Sequence, residues 1–273
     1  MTEAVGPGGV VGILGGGQLG RMLAIAAAQL GLKAHIYAPE AHPPAADVAA
    51  AVTRGAWDDA AALTAFAKTV DVVTYEFENV PAATVDILEP LDAVRPGRKA
   101  LAVAQDRVDE KSFMNGIGVA TAPFAAVDDA ASLEATLDRI GAPAILKTRR
   151  LGYDGKGQAR IGARGDAAEA LAAMAGAPAV LEGFVDFTRE ISVIAARGAD
   201  GSTVAYEPGE NAHEAGILRR TVVPAGSSPD SLAEAKAIAG RILDALDYVG
   251  VIGVEFFETA EGGLLVNEIA PRV

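Results

Sequence analysis

The sequence predicts an α/β domain followed by an α+β unit. Two observations carry this. Residues 10 to about 95 alternate strand-like and helical segments in the order β-α-β-α-β, which implies a parallel sheet covered by helices. From about Gly97 the pattern changes: two helical segments lead into a short apolar strand with a glycine-rich loop, and beyond Ala179 strands dominate. The expected architecture is a Rossmann-like domain over residues 1–98 and two α+β subdomains, 99–180 and 181–273, that face each other across a cleft.

In the first domain, Val10–Leu14 is a buried strand, Gly15 through Gly20 a tight loop, and Arg21 to Leu30 a helix ended by Gly31. Lys33–Tyr37 is a second strand. Asp58 caps a helix running to about Lys68, and Asp71–Tyr75 is a third strand. Farther on, helices cover Lys99 to Asn115, Asp128 to Ile140 with Asp128 as cap, and Ser231 to Leu246. His35, in mid-strand, reads as a packed core residue.

A hydrophobic fraction of 51% over 273 residues supplies cores for two or three domains. No apolar run approaches the ~18 residues of a membrane span, and no secretory leader pattern is present, so a cytoplasmic protein without membrane contact is expected. Without cysteine there can be neither disulfides nor thiolate chemistry. A net charge of −13 argues against nucleic acid as partner.

Chemistry concentrates in three places. The strand Ala144–Lys147 delivers a lysine to the loop Gly152-Tyr153-Asp154-Gly155-Lys156-Gly157, whose glycines let backbone N–H groups close over phosphates. A hairpin turn flanked by surface cations would show the same composition. The strands Val251–Phe257 and Gly263–Ile269 each carry a carboxylate in an apolar run, Glu255 and Glu268, and the second adds Asn267. An all-oxygen set of this kind suits magnesium bridging phosphates rather than zinc; one outward-facing Glu per strand is the alternative. Gly15–Gly20 fits G-x-G-x-x-G after a strand, but Glu40 falls late for a ribose-binding acid. A dinucleotide, an anionic substrate at the helix N-terminus and a purely structural turn all remain compatible with it.

Four motifs occur in order: Gly-Gly-Gly-Gln-Leu-Gly-Arg-Met at 15–22, Thr-Tyr-Glu-Phe-Glu-Asn-Val-Pro at 74–81, Gly-Tyr-Asp-Gly-Lys-Gly-Gln at 152–158 and Asn-Glu-Ile-Ala-Pro-Arg at 267–272. Together they resemble the ATP-grasp ligases of purine biosynthesis, and among them the N5-carboxyaminoimidazole ribonucleotide synthetase family, over essentially the whole chain. The resemblance implies a pre-ATP-grasp domain and an ATP-grasp domain, with ATP, magnesium, bicarbonate and 5-aminoimidazole ribonucleotide as the small molecules bound, and a homodimer. It implies that Arg107, Lys147 and the loop Gly152–Gln158 hold phosphates, that Glu182, Gly183, Phe184 and Val185 meet adenine, that Glu190 meets ribose, and that His213 also lines the nucleotide site. Glu255 and Glu268 would ligate magnesium beside Asn267. Gln18, Leu19 and Glu76 would contact the ribonucleotide acceptor, with Tyr153, Asp154 and Arg272 near the reacting centre and Asp154 managing the acceptor's proton. The family continues past Arg272 with His-Asn-Ser-Gly-His and a further domain, so the last subdomain is expected to be cut short. Other ATP-grasp ligases, using formate or biotin, a nucleotide-binding protein without chemistry, and an NAD-dependent oxidoreductase are the competing expectations. The 74–81 segment separates the first of these, and Lys147, Glu255 and Glu268 are unexplained by the last.

Overall fold

The computed structural model describes residues 4–91, 94–152, 156–214 and 216–272. Its first unit is built from β1 (Val10–Leu14), α1 (Gln18–Gln29), β2 (Lys33–Ala38), β3 (Ala51–Arg54), α2 (Ala60–Ala67), β4 (Val72–Tyr75) and α3 (Ala82–Leu88). The four strands form a parallel sheet in the order β3-β2-β1-β4, as the alternation requires. Both faces are covered. Ile13 and Ile36 pack against Ala24 of α1 on one side, and Leu14, Tyr37 and Tyr75 against Leu63, Phe66 and Leu88 of α2 and α3 on the other. His35, expected in the core, is only half-buried, its ring nitrogens bonded to Thr53 and Thr69 hydroxyls at 2.8 and 3.0 Å and its ring edge-on to Phe66.

Two helices, α4 (Arg98–Ala104) and α5 (Arg107–Gly116), replace the single helix expected over Lys99–Asn115. The break has a physical cause: Asp106 leaves helical geometry and its carboxylate accepts the Val108 N–H at 3.0 Å, starting a new helix. Two caps also fall one residue later than expected. Asp59, not Asp58, accepts from Ala62 N at the start of α2, and Asp129, not Asp128, caps the helix that runs to Ile140 through a reciprocal box with Ser132.

The second unit contains β5 (Phe124–Val127), α6 (Ala130–Ile140), β6 (Ala144–Thr148), β7 (Gln158–Ile161), α7 (Ala167–Ala173) and β8 (Ala179–Gly183). Its antiparallel sheet, β5-β8-β6-β7, buries Leu146, Ile161 and Leu181 against Leu133 and Leu137 of α6 and Ala167 and Ala170 of α7. The third unit follows with β9 (Phe187–Arg197), β10 (Thr203–Ala205), β11 (Gly209–Glu214), β12 (Ile217–Val222), α8 (Pro229–Ala245), β13 (Gly250–Thr259) and β14 (Leu264–Arg272). Its strands order as β12-β11-β9-β13-β14, with β10 paired to β9. Helix α8 starts at Pro229, two residues before the expected start, because Ser228 caps it by accepting Ser231 N–H. Ala235, Ile238, Ala239, Ile242 and Leu243 recur at helical spacing and bury against Ile191, Val193 and Val254 of the sheet. Each such fully buried large side chain contributes roughly 1.5–3 kcal/mol. Because odd-numbered residues of β9 face α8, Glu190 and Ser192 are turned to the opposite face, toward the second unit.

Candidate functional site

A cleft of about 520 Å³ lies between the two antiparallel sheets. One wall comes from β6, β7 and the loop joining them, with Lys147, Gly152, Lys156 and Gln158. The other comes from β9, β11, β13 and β14, with Glu190, His213, Glu255, Asn267, Glu268 and Arg272. Helix α5 closes the floor with Arg107 and Glu110, and Glu78 and Asn79 of the first unit reach its far end. Eleven of the residues singled out in the sequence are thus brought to one cavity. Tyr153, Asp154 and Gly155 lie outside the described residues.

The acidic wall depends on an irregularity. Glu255 and Glu268 are direct cross-strand partners, whereas Phe256 pairs with Val266, so Asn267 has no partner on β13. In a regular strand Asn267 and Glu268 would point to opposite faces; the extra residue of this bulge re-aims them, and both line the cleft. Asn267 Oδ1 is buried with no hydrogen-bond partner among the described residues. Burial, with Glu268 and Glu190 nearby, pushes the Glu255 carboxyl up to about 7. A hard cation bound here would relieve the repulsion and complete the amide oxygen, so the donor set fits magnesium. Among the described residues no three or more acidic or imidazole groups form a complete cage. Phosphate oxygens or water would have to supply the remaining ligands.

The cations are held by carboxylates. Arg107 Nη1 donates to Glu268 Oε2 at 3.0 Å, and Arg107 Nη2 to the Gly152 carbonyl at 3.4 Å. Burial works against the Arg107 charge, but Glu268 and Glu110 outweigh it and raise its pKa. Lys147 Nζ donates to Glu182 Oε2 at 2.8 Å, and Glu182 Oε1 sits 3.4 Å from Lys111 Nζ, an ion pair without a formed hydrogen bond. Burial alone would raise the Glu182 pKa; Lys147 and Lys111 reverse this and lower it. Thr148 N donates to the Gly157 carbonyl at 2.7 Å, closing the glycine loop. Gly157, at φ +68°, packs so near Thr148 that a Cβ would lie 2.6 Å from its hydroxyl. Near the other end, His213 Nδ1 contacts Glu190 Oε2, and Phe187 stacks on Phe257 with ring centroids 4.7 Å apart. Arg272 pairs with Glu78 and so ties the end of β14 to the first unit.

The segment 182–185, expected to meet adenine, divides by depth. Glu182 lies under the cleft, with only 3% of its surface exposed, as the partner of two lysines. Gly183 and Phe184 spend their N–H groups on the Pro123 and Pro143 carbonyls, while the exposed Phe184 ring lies 4.9 Å from the Arg160 guanidinium and Val185 is half-buried.

The first glycine loop corrects an expectation. Helix α1 begins at Gln18, so the tight turn spans only Gly15–Gly17. Its anion site is filled from within: Glu76 accepts Gly17 N–H at 2.9 Å and Gly20 N–H at 2.7 Å. A pyrophosphate cannot take those donors while Glu76 holds them, which removes the physical basis of the dinucleotide reading. Gln18 and Leu19 are exposed beside this loop, and neither they nor Glu76 line the 520 Å³ cleft.

Apart from Arg107, sequence reasoning missed the inward face of α5. Asp106 accepts from Arg149 Nε at 2.9 Å and Arg150 Nε at 3.3 Å, Glu110 accepts the Ile269 N–H at 2.7 Å, and Lys111 donates to the Asn267 carbonyl at 3.0 Å. Glu110 is pushed up to about 8, first by burial and then by Glu268, with Lys111 opposing. The available signal was spacing: 106, 107, 110, 111 and 114 form one helical stripe, and charges on a stripe that also carries buried Met114 must meet charges elsewhere.

Comparison with known proteins places this arrangement. A ribonucleotide synthetase pre-ATP-grasp profile matches residues 9–105, and an ATP-grasp domain profile matches residues 112–273. An N5-carboxyaminoimidazole ribonucleotide synthase of Brucella melitensis is 50% identical over 269 residues, covering 98% of this chain and 74% of that protein. The crystal structure of the corresponding synthetase of Thermus thermophilus is 48% identical, with a TM-score of 0.88 over 96% of this chain and 71% of its own. That of Aspergillus clavatus, in complex with ADP and 5-aminoimidazole ribonucleotide, is 28% identical, with a TM-score of 0.88 over 97% of this chain and 70% of its own.

Proposed function

The chain belongs to the N5-carboxyaminoimidazole ribonucleotide synthase family, and from that premise we propose that it carboxylates 5-aminoimidazole ribonucleotide with ATP in purine biosynthesis. The observation that carries the reading is the cleft that brings Lys147 of one wall and Arg107 of the floor, cations for phosphate oxygens, together with the Glu255–Glu268 pair of the other wall, ligands for a hard cation, with Arg107 itself bonded to Glu268.

The chemistry divides into two displacements. An oxygen of bicarbonate attacks the γ-phosphorus of ATP, the bond to ADP breaks, and carboxyphosphate results. The amine of the ribonucleotide then attacks the carboxyl carbon, inorganic phosphate leaves, and the amine gives up a proton. Bicarbonate is a weak nucleophile, so alignment and charge neutralisation must lower the first barrier. Lys147 and Arg107 supply fixed positive charge at the phosphates, in a partly buried setting where it is worth more than in water. Glu255 and Glu268, beside Asn267, would hold magnesium, which would supply further charge neutralisation for phosphoryl transfer. Closure of the glycine-rich loop after Lys147 over bound ATP would exclude water and protect a labile acyl phosphate.

Glu190, His213 and the Phe187–Phe257 stack form the nucleoside end, and Arg272 and Glu78 the acceptor end, in this reading. Gln18, Leu19 and Glu76 remain candidates for the acceptor's phosphoribosyl side, with Glu76 shaping the turn that presents the other two. The resemblance further supports a cytoplasmic homodimer; no described helix is long and apolar enough to cross a membrane.

The test is ADP release from ATP, magnesium and bicarbonate with and without 5-aminoimidazole ribonucleotide. Stimulation by this acceptor is expected. Stimulation instead by formate with glycinamide ribonucleotide, or by biotin, would transfer the chain to a neighbouring ligase class.

A further inference from the structure

Lys111 has no part in the expected site, yet it is the most deeply buried charged side chain described, at 1% exposure. It projects from α5 to a point beneath the cleft between β8 and β14. Its ammonium lies 3.4 Å from Glu182 on β8 and donates to the Asn267 carbonyl on β14 at 3.0 Å. On the other oxygen of the same carboxylate sits Lys147. Two ammonium groups therefore share one carboxylate, and the trio carries one net positive charge.

We propose that Lys111 is a positioning residue that keeps the Lys147 ammonium available to phosphate. With Lys111 present, Glu182 is already compensated, and Lys147 projects positive field into the cleft while remaining anchored. Without Lys111, Lys147 and Glu182 become a neutral pair, and the lysine must be drawn from its carboxylate before it can serve a phosphate oxygen. The Asn267 contact adds a second consequence: Lys111 fixes the bulge that turns Asn267 and Glu268 toward the cleft, so phosphate-binding and acidic walls are set from one atom.

This inference rests on the reading of the cleft as an ATP site. The experiment is calorimetric titration of the purified protein with ATP and magnesium, without bicarbonate or acceptor, followed by kcat and KM for acceptor-dependent ADP release. Lys111→Met should weaken ATP binding roughly tenfold, the scale of removing one partly screened neighbouring charge. Adding Glu182→Gln to that variant should restore binding to within about threefold of wild type, because the net charge at Lys147 is regained. Lys111→Arg, which keeps the charge, should bind ATP as the wild type does. Unchanged affinity in Lys111→Met, a double variant no better than the single one, or an equal loss in Lys111→Arg would each overturn the proposal. If the wild type binds ATP but no aminoimidazole ribonucleotide stimulation is found, the function above fails while this affinity series still decides the place of Lys111.

Discussion

Glu255 and Glu268 face each other across the β13–β14 ladder, so two acidic side chains are neighbours on a partly buried wall. Cross-strand like charges repel, and burial adds a desolvation cost. Arg107 takes up one of them, at 3.0 Å from Glu268, and leaves Glu255 as the group that resists ionisation. Such an arrangement is unfavourable alone and would become favourable with a bound cation, as the proposed site requires.

This has a pH signature. Glu255 moves from an ordinary 4.5 to about 7 in the fold, so the folded protein holds its proton longer than the unfolded chain. Stability gained from the protonated acid is therefore full below pH 4.5 and lost as pH rises toward 7. The loss is on the order of 3 kcal/mol at 1.36 kcal/mol per pH unit. Glu110, raised to about 8, extends a decline of the same sign. Denaturant unfolding of the metal-free protein between pH 5 and 8 should show this fall, and Glu255→Gln should flatten its lower part. A profile identical to wild type would remove Glu255 from the pair.

Glu268→Gln keeps shape but removes charge from the cation side and releases Arg107. The magnesium concentration for half-maximal activity should rise roughly tenfold or more, as for loss of a ligand or its support. An unaltered metal titration would place the cation elsewhere.

Gly15 sits at φ +104°, and a Cβ there would lie 2.5 Å from Glu76 Oε1. Gly15→Ala should destabilise the first domain by ~1–3 kcal/mol through backbone strain and displacement of that carboxylate. Gly240, inside α8 with open space around it, is the contrast: Gly240→Ala should stabilise by up to ~1 kcal/mol. Thermal unfolding of the two variants reads both signs.

Asp106 caps α5 and holds Arg149 and Arg150 at the entrance to the glycine loop. Its carboxyl is held below the usual range: burial opposes this, but bonds from Arg149 and Val108 prevail. Asp106→Ala should cost ~1–2 kcal/mol from the cap alone. It should also raise KM for ATP, because the loop loses its anchor. Stability loss without a change in KM would confine Asp106 to capping.

Much of the fold was legible because it rests on local periodicity. Val10–Leu14, Lys33–Tyr37 and Asp71–Tyr75 announce a parallel sheet by alternating with helices, and α8 by its 3–4 spacing. The cap positions slipped by one residue at Asp58/Asp59 and Asp128/Asp129, where adjacent aspartates offer equivalent chemistry and only backbone geometry chooses between them. The α4–α5 break was hidden for a similar reason: Asp106 is tolerable within a helix, and its promotion to a cap follows from the two arginines that hold it.

By itself the sequence determined the order of elements, the cation-bearing glycine loop and the presence of carboxylates on apolar strands, because those depend on residue type and spacing along the chain. The tertiary structure decided which charges meet. Asn267 and Glu268 share a face only because the pairing with β13 slips at one residue. Glu76, which looked free to bind a ligand, occupies the glycine loop because β1 and β4 are neighbours in the sheet. Lys111 finds Glu182 across 71 residues because two sheets close on α5. Charge pairing is a property of distance in space, and distance in space is set by packing that no local pattern encodes.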